Sequence, residues 1–267
     1  MKLTMLGTGH ALVTKCYNTC FTLEDEGGIF LVDGGGGNTI LRQLKLAGID
    51  LKDIKDIFIT HRHVDHITGI IWLVRVIGQQ MTSGTIPESD VRIYGHGEVL
   101  GMIDTISRML LSKKSTGQIG KRIHLVEVQD GDSREICGHK TTFFDVQSTK
   151  AKQYGFAMEI GADRILACCG DEPYYPHERK YCEHAEWLLH EAFCLDSQAD
   201  LFKPYGHQHC TVKDACEAAA ELQVKNLLLY HTEDENIRDR KVLYAKEGKQ
   251  YYHGNLWVPE DLEVIEL

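Results

Sequence analysis

The sequence has few of the features that mark membrane, secreted or disordered proteins. Its 267 residues include only five prolines, too few for a collagen-like or low-complexity chain. No apolar run approaches the roughly 20 residues that cross a bilayer. The first apolar segment reaches Gly7 too early to serve as a signal peptide. These absences predict a cytoplasmic globular protein without membrane contact.

Paired cysteines and an excess of positive charge are also missing. The nine cysteines are odd in number and lack the C-x-x-C spacing of zinc knuckles, which favours free thiols. Lys and Arg number 29 against 39 Asp and Glu, so the net charge is -10. Since nonspecific nucleic-acid binding depends on basic surface, this balance predicts no extended nucleic-acid surface. It still allows a small phosphodiester substrate held by metal ions.

Short apolar strands alternate with helical patterns along the whole chain. The clearest predicted strands are Lys2–Leu6, Ile54–Thr60, Arg164–Cys168 and Asn226–Tyr230. Predicted helices are Thr39–Leu46, Thr68–Ile77, Val212–Leu222 and a segment around Glu183–Leu189. A further strand is predicted near Leu188–His190, or as the continuation of that helical segment. No Pro/Ser-rich linker or internal repeat divides them, so we expect one layered α/β domain over residues 1–267.

Metal-ligand residues directly follow three of the buried strands. One strand runs into His61-Arg62-His63-Val64-Asp65-His66, and two later strands run into Asp171 and His231. Side chains at the carboxyl ends of strands converge on one crevice in α/β sheets. The pattern therefore predicts a centre built from His61, His63, Asp65, His66, Asp171 and His231. Imidazole and carboxylate donors suit one or two Zn²⁺, Mn²⁺ or Fe²⁺ ions.

These residues resemble the metallo-β-lactamase superfamily, whose H-x-H-x-D-H signature is present as His61 to His66. Within it, the chain is most similar to the ribonuclease Z-like branch and its phosphodiesterase relatives. Shorter matching motifs include Leu6-Gly7-Thr8-Gly9, Leu31-Val32-Asp33-Gly34-Gly35, His190-Glu191-Ala192 and Leu229-Tyr230-His231. The resemblance implies a four-layer αβ/βα sandwich with zinc at one edge, and it is compatible with a homodimer.

The resemblance also assigns the metal ligands. It places His61 and His63 at a first metal and Asp65, His66 and His231 at a second. Asp171 would bridge the two ions, and Asp65 would also orient or deprotonate the attacking water.

Two further residues match family motifs outside the ligand set. His209 corresponds to a histidine proposed to assist leaving-group or phosphate chemistry, a role for which the neighbouring His207 could compete. Glu191 corresponds to an acid that either orients a nearby histidine or takes part directly in catalysis.

The chain departs from the family at one ligand position. Gln147 stands where another ligand histidine is usual, and a neutral amide oxygen is a weak zinc ligand. This substitution predicts either a weakly bound first metal or a single-metal enzyme.

A second departure concerns substrate size. Only 24 positions separate Gln147 from Asp171, which leaves no room for the arm that grips tRNA in ribonuclease Z. A basic patch within residues 105–126 contains Lys113 and Lys114, and it is either a phosphate-binding surface or a solvated helix end and loop.

These features favour a metal-dependent hydrolase and, within that class, a phosphodiesterase acting on a small phosphodiester or RNA-like substrate. Two alternatives stay open. The same cluster could hydrolyse a carboxylic ester, thioester or lactone by polarising a carbonyl group, or the chain could be a metal-binding scaffold without catalysis.

Overall fold

The computed structural model describes residues 1–86 and 89–267 and, within them, two seven-stranded mixed sheets. In spatial order, the first sheet contains β14 (Val264–Glu266), β1 (Lys2–Gly7), β2 (Cys20–Asp25), β3 (Gly28–Val32), β4 (Ile54–Phe58), β5 (Val91–Gly95) and β6 (Ile123–Glu127). The second contains β13 (Asn255–Trp257), β12 (Asn226–Tyr230), β11 (Trp187–Glu191), β10 (Arg164–Cys168), β9 (Tyr154–Gly161), β8 (His139–Asp145) and β7 (Ser133–Ile136).

Helices cover the outer face of each sheet. They are α1 (Thr39–Leu46), α2 (Val64–Ser83), α3 (Gly97–Leu110), α4 (Lys113–Thr116), α5 (Arg179–Cys182), α6 (Ala199–Phe202), α7 (Val212–Glu221) and α8 (Arg240–Gly248). Short 3₁₀ turns occupy Leu51–Asp53, Pro176–Glu178, Asp196–Gln198 and Pro204–His207. The apolar faces of α1, α2 and α3 pack on the first sheet, and those of α7 and α8 pack on the second. The predicted four-layer αβ/βα sandwich is confirmed. In the described part of the chain, every helix is too short or too polar to span a bilayer.

The two sheets are held together by an aromatic layer between them. The Phe58 ring lies 4.9 Å from that of Phe143 and 5.8 Å from that of Phe156, and the Phe156 ring lies 5.4 Å from that of Phe30. All four side chains are fully buried. Burial of each phenyl ring contributes about 1.5–3 kcal/mol. Packing of these rings therefore holds the strand ends of the two sheets in a fixed relative position.

Two predicted helices differ from the structure. Helix α2 begins at Val64 rather than Thr68, so Asp65 and His66 lie in its first turn. The predicted helix around Glu183–Leu189 is wrong, because the nearby helix is Arg179–Cys182. The strand predicted near Leu188–His190 is confirmed and extends over Trp187–Glu191 as β11. Strand β11 pairs in parallel with both β10 and β12 and is buried along its whole length, and such strands carry no polar alternation.

A glycine loop after β3 packs directly against α2. The Gly34 amide donates to the His66 carbonyl at 2.9 Å, and the Gly69 amide donates to the Gly35 carbonyl at 2.9 Å. A Cβ atom at Gly69 would lie only 1.8 Å from the Gly34 carbonyl oxygen. Glycine at position 69 thus permits the close approach that fixes the backbone at His66.

Candidate metal centre

Titratable side chains from both sheets meet at the edge where β4, β10, β11 and β12 end. Three overlapping groups each bring one donor atom per residue to within 4.8 Å of the others. The groups are His61, His66 and Asp171; Asp65, His66 and His231; and Asp171, His209 and His231. All these side chains are buried except that of His209, which is largely buried. The structure thus brings together most of the residues that the sequence singled out.

Asp171 occupies the middle of the cluster. Its Oδ2 atom lies 3.7 Å from His61 Nε2, 3.7 Å from His66 Nε2 and 3.4 Å from His231 Nε2. These distances are too long for hydrogen bonds. They resemble the separation of about 3.4 Å between two ligand atoms that bind one tetrahedral zinc ion. The spacing therefore suits a cation between the carboxylate and the imidazoles.

Several donor atoms in the cluster lack partners. Within the described residues, neither His66 Nε2 nor either ring nitrogen of His231 has a hydrogen-bond partner, although all three atoms are buried. A buried polar atom without a partner is costly. Metal ligation would satisfy His66 Nε2 and His231 Nε2, so the donor set fits a divalent ion.

The electrostatics of the cluster also favour a cation. Burial alone would raise the pKa of Asp171, but the charges of His61, His231 and His66 outweigh it and hold that pKa well below its usual value. The pKa of Asp65 is likewise lowered against burial, mainly by the charge of His66. Burial lowers the pKa of His61 well below its ordinary value. Ionised carboxylates are the protonation state that metal binding requires. Against burial, the neighbouring carboxylates raise the pKa of His66 and raise that of His231 to about 9, so these two imidazoles must release a proton when they bind a metal ion.

His66 is oriented by Asp33, a residue to which the sequence motifs assign no role. Asp33 Oδ2 contacts His66 Nδ1 at 2.7 Å and accepts a hydrogen bond from Thr60 Oγ1 at 2.8 Å. The contact at Nδ1 directs Nε2 into the cluster, as partners of ligand histidines commonly do. Asp33 adopts a left-handed backbone conformation, with φ of 58°, which is uncommon outside glycine. Its position directly after β3 is the sequence signal for this role.

His63 contacts the cluster through His61. The two side chains approach at 2.7 Å between His61 Nε2 and His63 Nδ1, and Thr60 Oγ1 contacts His61 Nδ1 at 2.9 Å. His63 is half-buried, whereas His61 is fully buried. The side chain therefore lies at the outer rim of the predicted first metal site.

Glu191 links two histidines of the centre. Its Oε2 atom lies 2.7 Å from His209 Nδ1 and 3.4 Å from His231 Nδ1, while its Oε1 atom accepts a hydrogen bond from the Cys210 amide. The fully buried carboxylate thus faces the ring nitrogens on the side away from Asp171. This geometry supports the orienting role for Glu191. His207 is exposed, which favours His209 as the histidine that acts at the site.

His10 is a further residue at the centre that no sequence motif marks. Its ring centroid lies 4.5 Å from that of Phe193 and 6.3 Å from that of His231. Burial, together with the charges of His231 and His209, lowers the pKa of His10 to about 4. The chain thus holds a neutral imidazole beside the centre, directly after the Gly7-Thr8-Gly9 turn.

The structure corrects the expectation for Gln147. This residue is exposed, and its backbone amide donates to Asp145. The amide that reaches the cluster belongs to Gln153, which is buried and donates from Nε2 to Asp171 Oδ1 at 2.7 Å. The sequence motif marks the correct connection between β8 and β9, but periodicity does not fix which glutamine of that connection turns inward.

Replacing Gln153 with alanine is expected to weaken the more loosely bound metal about 10–100-fold, the usual effect of removing a partner of a metal ligand. The matched Gln147→Ala change should alter affinity by less than about twofold, as an exposed substitution normally does. Titration of metal into stripped protein measures both. A larger loss in Gln147→Ala than in Gln153→Ala would restore Gln147 as the ligand.

The basic patch lies far from the centre. Helix α4, which carries Lys113 and Lys114, packs beside Gly78 of α2, where Ser115 approaches closely. Gly78 lies twelve residues beyond His66, or about 18 Å along the helix. This distance favours the interpretation of the Lys113/Lys114 patch as a solvated helix end rather than a substrate-binding surface.

The connection from Gln147 to Asp171 contains β9 and β10 and, in this fully described segment, no inserted arm. The segment thus consists of two paired strands and the short loops that flank them.

Comparisons with known proteins agree with this architecture. The sequence matches the family model described as anti-Pycsar protein Apyc1 over residues 1–251. Ribonuclease Z of Enterococcus faecalis is 24% identical, with 100% of this chain and 97% of that protein aligned. The metallo-β-lactamase fold protein YhfI from Bacillus subtilis superposes with a TM-score of 0.76 at 20% identity, covering 99% of each chain. The short form of human tRNase Z superposes with a TM-score of 0.75 at 23% identity, covering 100% of this chain and 99% of the other.

Proposed function

The chain belongs to the family of the anti-Pycsar protein Apyc1, in the ribonuclease Z-like branch of the metallo-β-lactamase superfamily, and from this membership we propose that it is a phosphodiesterase. Its homologues and its His/Asp clusters identify it as a metal-dependent hydrolase of that superfamily. The buried cluster around Asp171 carries the proposal. We further propose that residues 1–267 form one hydrolase domain and that zinc is the native metal.

The proposed ligands are His61, His63, Asp65, His66, Asp171 and His231. When bound, such an ion lowers the pKa of water to about 7 and offsets charge on phosphoryl oxygens. Asp65, whose ionised carboxylate faces His66 and His231, accepts a hydrogen bond from the attacking water. His209, whose Nδ1 atom contacts Glu191 at 2.7 Å, supplies a proton to the leaving oxygen. The negative charge of Glu191 stabilises the protonated imidazole.

A small phosphodiester fits this site better than a folded RNA. The short connection between Gln147 and Asp171 provides no arm, and the Lys113/Lys114 patch lies at the far end of α2. The net charge of -10 also opposes binding of a long phosphate backbone. We therefore propose a substrate whose recognition depends on the centre itself. The cytoplasmic location and the homodimer stay predictions.

Metal removal and substrate comparison test this function together. Protein treated with a chelator should lose hydrolysis of bis-p-nitrophenyl phosphate and of 3′,5′-cyclic mononucleotides, and addition of Zn²⁺ or Mn²⁺ should restore both. Precursor tRNA, p-nitrophenyl acetate and a thioester serve as comparison substrates, and we expect the small diesters to be preferred.

Each contrary outcome identifies a different alternative. Turnover of the acetate or thioester without diester turnover would support the ester, thioester or lactone hydrolase. Cleavage of precursor tRNA in preference to small diesters would contradict the substrate size. Failure to bind Zn²⁺, Mn²⁺ or Fe²⁺ would reject the metal centre.

A further inference from the structure

A second set of metal-type donors lies outside the centre described above. It consists of Cys169, Glu178 and Cys182, whose donor atoms lie within 4.8 Å of one another. The three side chains are at most 1% exposed and sit between the second sheet and its outer helices. We propose that these residues bind a structural zinc ion, separate from the ions at Asp171.

The two sulfur atoms have a spacing suited to a shared ion. Cys169 Sγ and Cys182 Sγ are 3.5 Å apart. Two thiolates on a tetrahedral zinc ion are separated by about 3.8 Å, so a shift of a few tenths of an ångström accommodates the ion. A disulfide would require the sulfurs to approach to about 2.05 Å. The observed spacing is therefore closer to metal ligation than to a covalent bond.

Glu178 provides an independent observation that points to a ligand. Its side chain is fully buried, and among the described residues its Oε2 atom has no hydrogen-bond partner. Burial raises the pKa of Glu178 to about 8, which reflects the cost of placing this carboxyl group in an apolar layer. A cation beside Oε2 would remove that cost. The neighbouring thiols are the donors that zinc prefers.

Local structure explains how the three donors meet. Glu178 ends the 3₁₀ turn Pro176–Glu178, and Cys182 ends helix α5 four residues later, so both side chains project from one face of this helical segment. Cys169 follows β10 and faces the helices, whereas the adjacent Cys168 faces the core between the sheets.

The proposed ion would tie the two ends of segment 169–182 together. Asp171 lies inside that segment, so the ion would limit movement of the loop that carries the central carboxylate. Zinc binding requires the two thiols to lose their protons to solvent. Glu178 Oε1 accepts a hydrogen bond from the Tyr175 amide at 3.3 Å, so the fourth position of a tetrahedral ion is available to water.

Cobalt substitution distinguishes this site from the histidine centre. Sulfur bound to Co²⁺ produces a thiolate-to-cobalt charge-transfer absorption in the near ultraviolet, and the His/Asp groups at Asp171 contain no sulfur. We expect this absorption when Co²⁺ is added to stripped full-length protein. Cys182→Ala should abolish it. Cys216→Ala, which removes another fully buried thiol from the same helical layer, should retain it.

Two more variants complete the test. Glu178→Gln should weaken cobalt binding at this site even if Cys182→Ala fails to fold. Asp171→Ala should retain the sulfur absorption, which separates this inference from the proposed phosphodiesterase activity. No sulfur absorption in the wild-type protein at saturating Co²⁺, or its persistence in folded Cys182→Ala, would overturn the proposal.

Discussion

Replacement of Asp171 with alanine is expected to lower both metal content and diester turnover while the protein stays folded. The change removes the oxygen that lies 3.4–3.7 Å from three histidines of the centre. Bound metal supplies several kcal/mol of transition-state stabilisation, so the loss should reduce turnover by about 10³-fold or more. Elemental analysis of the purified variant and steady-state assays with bis-p-nitrophenyl phosphate measure the two effects.

The adjacent residue offers a matched control for Asp171. Glu172 is also a buried carboxylate, but its contacts are with Ser148 and Tyr175 rather than with the histidines. Glu172→Ala should therefore retain its metal. His63→Ala should lose metal together with Asp171→Ala if the half-buried His63 is a ligand. Full metal content and full activity in Asp171→Ala would refute the centre.

Gly69→Ala is expected to produce a large loss of stability. The added Cβ would lie 1.8 Å from the Gly34 oxygen and 2.6 Å from its carbonyl carbon, so α2 or the glycine loop must move. Neither contact is with the end of a flexible side chain. Forced overpacking of this kind costs about 3 kcal/mol or more when backbone atoms must shift. Chemical denaturation monitored by circular dichroism gives the free energy of unfolding.

A glycine in another helix separates packing from helix propensity. Gly101 is an exposed position in α3, and a Cβ atom added there would meet no described atom outside its own helix within 4 Å. Gly101→Ala should therefore stabilise the protein by about 0.5–1 kcal/mol. Equal stability in the two variants would show that the glycine loop does not press against α2 as the structure has it.

Most of the donor residues could be predicted because residue types that bind metals stand directly after predicted buried strands. Histidine and aspartate directly follow buried apolar strands at His61, Asp171 and His231, and parallel strands bring such positions to one edge. Asp33 also directly follows a buried strand, β3, but no other donor residue stands beside it, and Gln153 lies in the connection between β8 and β9. A contact with a residue far along the chain defines the role of each, His66 for Asp33 and Asp171 for Gln153.

Strand β11 shows why the local pattern predicted an overlapping helix and strand at one segment. The run Trp-Leu-Leu-His is compatible with either a buried helix or a buried strand, since periodicity does not distinguish short apolar runs. The parallel partners β10 and β12 decide in favour of the strand. Those neighbours are tertiary features that the run itself does not contain.

The metal-ligand residues are divided between the two sheets, and this division determines the order of folding and metal binding. His61, Asp65 and His66 follow β4 of the first sheet, whereas Asp171 and His231 follow β10 and β12 of the second. Neither half of the chain contains the complete set, so the site exists only after both sheets have formed and docked. Contacts between such distant segments form slowly, because a long loop must close first. Metal binding at this edge is therefore expected late in folding. Because the ion binds only the folded chain, it stabilises the folded state by mass action.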